Sequence, residues 1–149
     1  MKARLVTLAI LLACLAAPQA FAGEYSEALG KCFVNSTSKA ERASLIRWFY
    51  AAASRHPAVQ GLANVSDAQI DDANRAVATL FVTLLTTSCK AEAQKAFQEE
   101  GPPMFRLSFD VLDKVAAQEL FDSPEVKASL RGLQTYVDHD KLDVLKIQK

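Results

Sequence analysis

The chain has two histidines, three cysteines and one tryptophan among its 149 residues, and each scarcity excludes something. His56 and His139 stand far apart in the sequence, so no histidine-rich metal set is available, and neither has the spacing of a zinc-binding helix. The five glycines are scattered, which leaves no phosphate-cradling loop, and neither a Gly-x-Ser-x-Gly elbow nor a His-Glu-x-x-His motif is present. Charge of one sign never forms a long block. A phosphate-tracking basic surface is therefore not indicated, and no nucleic-acid partner is expected. The apolar run from Ala76 to Leu85 falls far short of the roughly 18 residues that a bilayer-spanning helix needs.

What is present starts with a leader. Lys2 and Arg4 precede an apolar stretch from Leu5 to Leu15, followed by Pro18 and then Ala20-Phe21-Ala22 before Gly23. This is the pattern of a secretory signal peptide with a small-x-small cleavage site. Residues 1–22 are expected to be removed, leaving 23–149 as a single domain in the periplasm. A competing cut reads Leu11-Leu12-Ala13-Cys14 as a lipobox, with the protein tethered to the membrane through Cys14. The short, alanine-rich leader looks bacterial, so the sequons Asn35-Ser36-Thr37 and Asn64-Val65-Ser66 are read as chance matches. Removing Lys2 and Arg4 leaves 15 basic against 17 acidic residues, a formal charge of about −2.

Cleavage at Gly23 leaves Cys32 and Cys89, and an oxidising compartment favours their pairing. Closing a loop of that length stabilises by about 4 kcal/mol in the chain-entropy model. With no Cys-x-x-Cys, the pair reads as a structural staple rather than a redox couple.

Helical periodicity runs through the rest. Tyr25, Leu29, Cys32 and Phe33 mark a first helix from Glu24 to Asn35. Ser38-Lys39-Ala40-Glu41 is a capping box that opens a second, running to about Arg55 and closed by His56-Pro57. Its apolar arc spans roughly 200°, with Leu45, Trp48, Phe49 and Ala52 on one face and Ile46, Tyr50 and Ala53 to the side, about twice the width of an ordinary surface helix. Two readings follow. The helix is packed on two sides, or part of the Trp48, Phe49 and Tyr50 surface serves a dimer or another partner, rimmed by Arg47 and Arg55.

A connector follows, with Val59, Leu62 and Val65 expected to face inward. Ser66-Asp67-Ala68-Gln69 is a second capping box, opening a long helix from Ser66 to Gly101. Ile70, Ala73, Val77, Leu80, Phe81, Leu84 and Leu85 form its stripe, and a break near Thr86-Thr87-Ser88 is left open. The β-branched residues between Val77 and Cys89 invite a buried strand, but no period of two supports one. Pro102-Pro103 start a fourth helix, striped by Phe105, Phe109, Leu112, Ala116 and Leu120. Pro124 starts a fifth, with Val126, Leu130, Leu133 and Val137 expected inside. Leu142 and Leu145 suggest a last amphipathic turn. The expected architecture is an all-α bundle of about five helices stapled by one disulfide.

Chemistry is sparse. His56 before Pro57 reads as a helix terminus, and His139 between two aspartates as an exposed loop residue. Glu99-Glu100 sits where a helix C-terminus disfavours acid, which calls for a partner cation such as Lys95 or Arg106, or for an earlier helix end. No catalytic residue, metal or cofactor is expected.

The plan from Glu24 to Gly101, with one cysteine on the first helix and another within a later one, resembles two periplasmic groups. These are the HdeA-like acid chaperones and the helical immunity proteins that neutralise cell-wall amidase toxins of type VI secretion. The fourth and fifth helices and the scarcity of histidine depart from the chaperone pattern, and no functional residue carries over. Gly30-Lys31-Cys32-Phe33 through His56-Pro57-Ala58-Val59 also resembles uncharacterised secreted bacterial proteins. The expectation is a non-catalytic periplasmic interaction factor, an inhibitor, immunity or chaperone-like protein, whose partner is an envelope protein or a second copy. The alternative is a carrier of a small apolar ligand, in a pocket lined by Phe49, Phe81, Leu84 and Phe109.

Overall fold

Several helix starts in this chain are written in local side-chain chemistry. Ser38 Oγ accepts from the Glu41 amide (3.3 Å) while Glu41 Oε2 accepts from the Ser38 amide (2.7 Å). Ser66 and Gln69 repeat the exchange at 3.3 and 2.9 Å, so both expected capping boxes form. Ser123 Oγ accepts from the Val126 amide (3.2 Å) with Pro124 in the first turn. The computed structural model describes residues 23–145; the leader and the Cys14 alternative lie outside them. Among the described residues the chain is all-helical, with α1 (Glu24–Ser36), α2 (Lys39–Ala53), α3 (Asp67–Thr83), α4 (Lys90–Glu100), α5 (Met104–Asp122), α6 (Pro124–Arg131) and α7 (His139–Leu142).

Seven helices replace the expected five for two reasons. The last amphipathic turn is α7, and the long helix from Ser66 to Gly101 is divided. A π turn spans Leu84–Ser88, closed by the Cys89 amide donating to the Leu84 carbonyl (2.8 Å), five residues back. On one continuous α-helix with Val77 at zero, Cys89, Ala93 and Ala96 would lie about 100–160° away from the apolar stripe. One extra residue in the turn rotates them back by about 100°. All three are buried with Val77, Leu80 and Leu84. The break re-aims the second half of the segment at the same core.

That rotation also brings Cys89 beside α1, at disulfide distance from Cys32 with the Cα atoms 5.9 Å apart. At mid-helix, α1 lies so close to α5 that a β-carbon on Gly30 would meet Val111 Cβ at 2.6 Å and the Ser108 carbonyl oxygen at 2.9 Å. At its start, α1 is capped from across the fold. Tyr25 and Ser26 donate their amides to the two Glu100 oxygens (2.8 and 3.1 Å), and the Ser26 hydroxyl donates as well. Glu100 therefore needs no cation, contrary to expectation. Lys95 lies over the Tyr25 ring instead (4.9 Å) and Arg106 pairs with Asp110 (3.7 Å). Burial pushes the Glu100 carboxyl up, but the bonds from the Ser26 hydroxyl and the first α1 amides outweigh it and hold its pKa below the ordinary value.

Outward from α1, one run of rings links four helices. Phe33 stacks on Phe109 (4.7 Å), Phe109 on Phe81 (3.9 Å), Phe81 meets the Trp48 edge (6.5 Å) and Trp48 meets Phe49 (5.1 Å). Some expected inward positions are not inward. Leu62 is 84% exposed and Leu133 72% exposed, Leu130 faces solvent with it, and Ala51 rather than Ala52 is buried in α2. Phe105 is also on the surface, where its ring meets Phe97 (6.4 Å). Periodicity marks an apolar face but not whether another element covers it. Helix α6, only eight residues long, packs on α5 and the adjacent 3-10 turn alone.

Two outcomes follow. Gly30→Ala forces α1 off α5 and should cost about 1–3 kcal/mol in denaturant unfolding; an unchanged midpoint would contradict the close approach. A carboxylate whose folded pKa lies below its unfolded value contributes stability above the unfolded value of about 4.3, lost as pH falls through the folded one. Glu100→Gln should therefore weaken the protein at neutral pH and flatten its acid-side decline in melting temperature. Parallel pH profiles for the two proteins would rule this out.

Candidate interaction surface

The wide apolar arc of α2 has a structural explanation. Helix α2 packs against α3 along one flank and against α5 along the other. Leu45 and Ala51 are buried, and Ile46 and Trp48 are half-buried. Trp48 Nε1 donates to Asn74 Oδ1 on α3 (2.9 Å). The arc nevertheless exceeds what these two neighbours cover: Phe49 is 37% and Tyr50 58% exposed.

The four residues expected to form a partner surface are thus divided. Arg47 and Tyr50 face outward over a groove of about 470 Å³ between α2 and α3, floored by Ala51, Ala73 and Ala76. The small floor residues leave this space, with Asp72 of α3 on the wall opposite Arg47. The Arg47 guanidinium makes one hydrogen bond, to Ser44 Oγ (3.4 Å). Trp48 turns away into the aromatic run. Arg55 is engaged with the Asp67 carboxylate and the Val65 carbonyl (3.5 Å), tying the connector to the start of α3.

The alternative quartet is brought together as packing. Leu84 is buried, and the Phe81 and Phe109 rings lie 3.9 Å apart. Phe49 stands at the edge, in a second groove of about 460 Å³ between α2 and α5 that also holds Ile46, Leu120, Asp110 and Asp113. No sequence motif marks Asp113. Its Oδ1 is buried without a hydrogen-bond partner, and burial, reinforced by the Asp110 charge, pushes its pKa up.

The histidines lie outside both grooves. His56 Nδ1 accepts from the Ala58 amide (3.2 Å) in the turn after α2, and exposed His139 opens α7 behind Asp138, whose carboxylate caps the Lys141 amide (3.3 Å). Among the described residues no cluster of three His, Cys, Asp or Glu is placed to hold a metal, and no helix is long and apolar enough to cross a membrane. One surface available among the described residues is a ridge, Arg47, Phe49 and Tyr50, with a groove on either side. No protein-family model, curated protein or solved structure matches this chain.

Asp113 is charged at a cost that a neutral isostere avoids. Asp113→Asn should raise the melting temperature at pH 7, and the advantage should fade as pH falls through the raised Asp113 pKa. An Asn variant less stable at pH 7 would indicate a carboxylate partner in solution.

Proposed function

We propose that this protein is an exported interaction factor of the cell envelope, an inhibitor, immunity or chaperone-like protein that works without catalysis. Its leader would be removed after Ala22, and it would engage an envelope protein through the α2 ridge. The observation that carries this reading is the exposure of Phe49 and Tyr50, with Arg47 beside them, on a helix already packed on both flanks. Aromatic and arginine side chains dominate the energy of protein interfaces. Here they stand on a rigid helix, so little ordering cost would accompany binding.

The periplasmic setting is supported by the leader and by the cysteine pair, since pairing of Cys32 and Cys89 requires an oxidising compartment. The plan-level resemblance to acid chaperones and amidase-immunity proteins supports the same class.

The test is capture from native envelope extract with the processed, oxidised protein as bait and mass spectrometry of what is retained. One stoichiometric envelope protein is expected, and Arg47→Ala with Tyr50→Ala should lower its capture about tenfold or more at unchanged melting temperature. Trp48 is unsuitable for this test, because its truncation would remove core contacts with Phe81 and Asn74. Capture unaffected by the Arg47 and Tyr50 changes would overturn the surface assignment.

A further inference from the structure

The cap on α1 reaches one residue further than the helix itself. Tyr25 and Ser26 bond the Glu100 carboxylate directly, and the Gly23 backbone nitrogen just before them lies close enough to help hold its pKa down. Gly23 supplies no side-chain cap of its own, and its carbonyl accepts from the Glu27 amide (2.7 Å), closing the first turn. It holds φ at 114°, a conformation that costs glycine little and other residues much. A β-carbon there would meet only Leu107 Cδ1 at 3.8 Å, so the backbone angle, not space, requires glycine.

Gly23 is also the residue that follows Ala20-Phe21-Ala22. We infer that Glu100 is the receptor for the chain's own processed N-terminus, binding as an ammonium the nitrogen that the precursor presents as an amide. In the cut, water supplies hydroxyl to the Ala22 carbonyl carbon as the C–N bond to Gly23 breaks under an export peptidase. One hydrogen of the water goes to the Gly23 nitrogen. The acid proton of the new Ala22 carboxyl then moves to the amine, leaving a carboxylate on the departing leader and an ammonium on Gly23. A donor with one hydrogen becomes a cation with three, and a charge-assisted bond is about twice as strong as a neutral one. The positive charge falls at the same carboxylate that completes α1. Processing and disulfide formation thus act on one helix: the first secures its start, the second its far end. Both are expected only after export, so the protein gains its full stability where it works. The inference rests on the reading of the leader as a signal cleaved after Ala22.

The test starts from the full-length precursor, expressed in an exporting bacterium, with the processed protein purified from the periplasm and its intact mass measured. Its α-amine is then acetylated at mildly acidic pH, where the lysines stay protonated, and melting temperatures are compared for wild type and Glu100→Gln. A mass that begins at Gly23 is expected. Acetylation should lower the wild-type melting temperature by about 3–5 °C at low salt and by less at 1 M salt. It should have no effect in Glu100→Gln. With the mass beginning at Gly23, an equal shift in both proteins, or none in wild type, overturns the ammonium receptor and leaves the export reading standing. A mass that begins elsewhere overturns both. Should Glu100→Gln fail to fold, the salt series on the wild-type protein decides, and a shift insensitive to salt contradicts the ion pair.

Discussion

At Gly30 the backbone of α1 approaches α5 more closely than any side chain would allow, and the arrangement of the other helices depends on that contact. With α1 pressed onto α5, Phe33 is brought against Phe109, which seats Phe81 and, through it, Trp48 of α2. The same helix is held at its start by Glu100 and near its end by Cys32. Its thirteen residues therefore carry a close packing contact, a long-range cap and a covalent link to the segment after the π turn. Each constrains a different degree of freedom: approach distance, axial position and rotation of the facing segment.

Helix α2 inherits its position from this core and has more apolar surface than its two neighbours cover. The inner part of its arc, Leu45, Ala51, Ile46 and Trp48, is explained by packing on α3 and α5. The remainder, Phe49 and Tyr50 beside Arg47, has no such explanation within the described residues. Structure and interaction are thus divided along one helix by angle, not by separate segments. This division is why Trp48, the most conspicuous residue of the sequence, packs half-buried against the core, while its immediate neighbours form the ridge.

Much of the local structure was legible because it is encoded within four residues: the capping boxes at Ser38 and Ser66, the start at Pro124, the stop at Gly101 and the stripes of α1 and α3. The cysteine pairing was legible because only two cysteines follow the leader-like stretch of residues 1–22. Four features were legible only in part or not at all, for related reasons. The π turn falls at the break left open near Thr86-Thr87-Ser88, but helical patterning continues on both sides, and its signal is the phase shift that puts Cys89, Ala93 and Ala96 off the wheel of Val77. Glu100 looked like an acid at the wrong helix end, because its partners are backbone amides 74 and 75 residues away, which no pattern in the sequence reveals. Leu62, Leu130 and Leu133 looked like core because periodicity does not report what lies opposite. The burial of Asp113 had no local signature either: only Asp110 is near it in sequence, and Ile46 and Phe49 across the groove lie on a helix distant in sequence.

The most direct test of this architecture is residue-resolved amide hydrogen exchange on the oxidised, processed protein. If α1 is the element on which the bundle depends, the amides of Leu29 to Phe33 and of Phe109 to Leu112 should exchange only through global unfolding. Those of α6 should exchange through local opening, faster by orders of magnitude. Protection in α1 no greater than in α6 would contradict the account, because the helix that positions α2 and its ridge would then open independently of the rest.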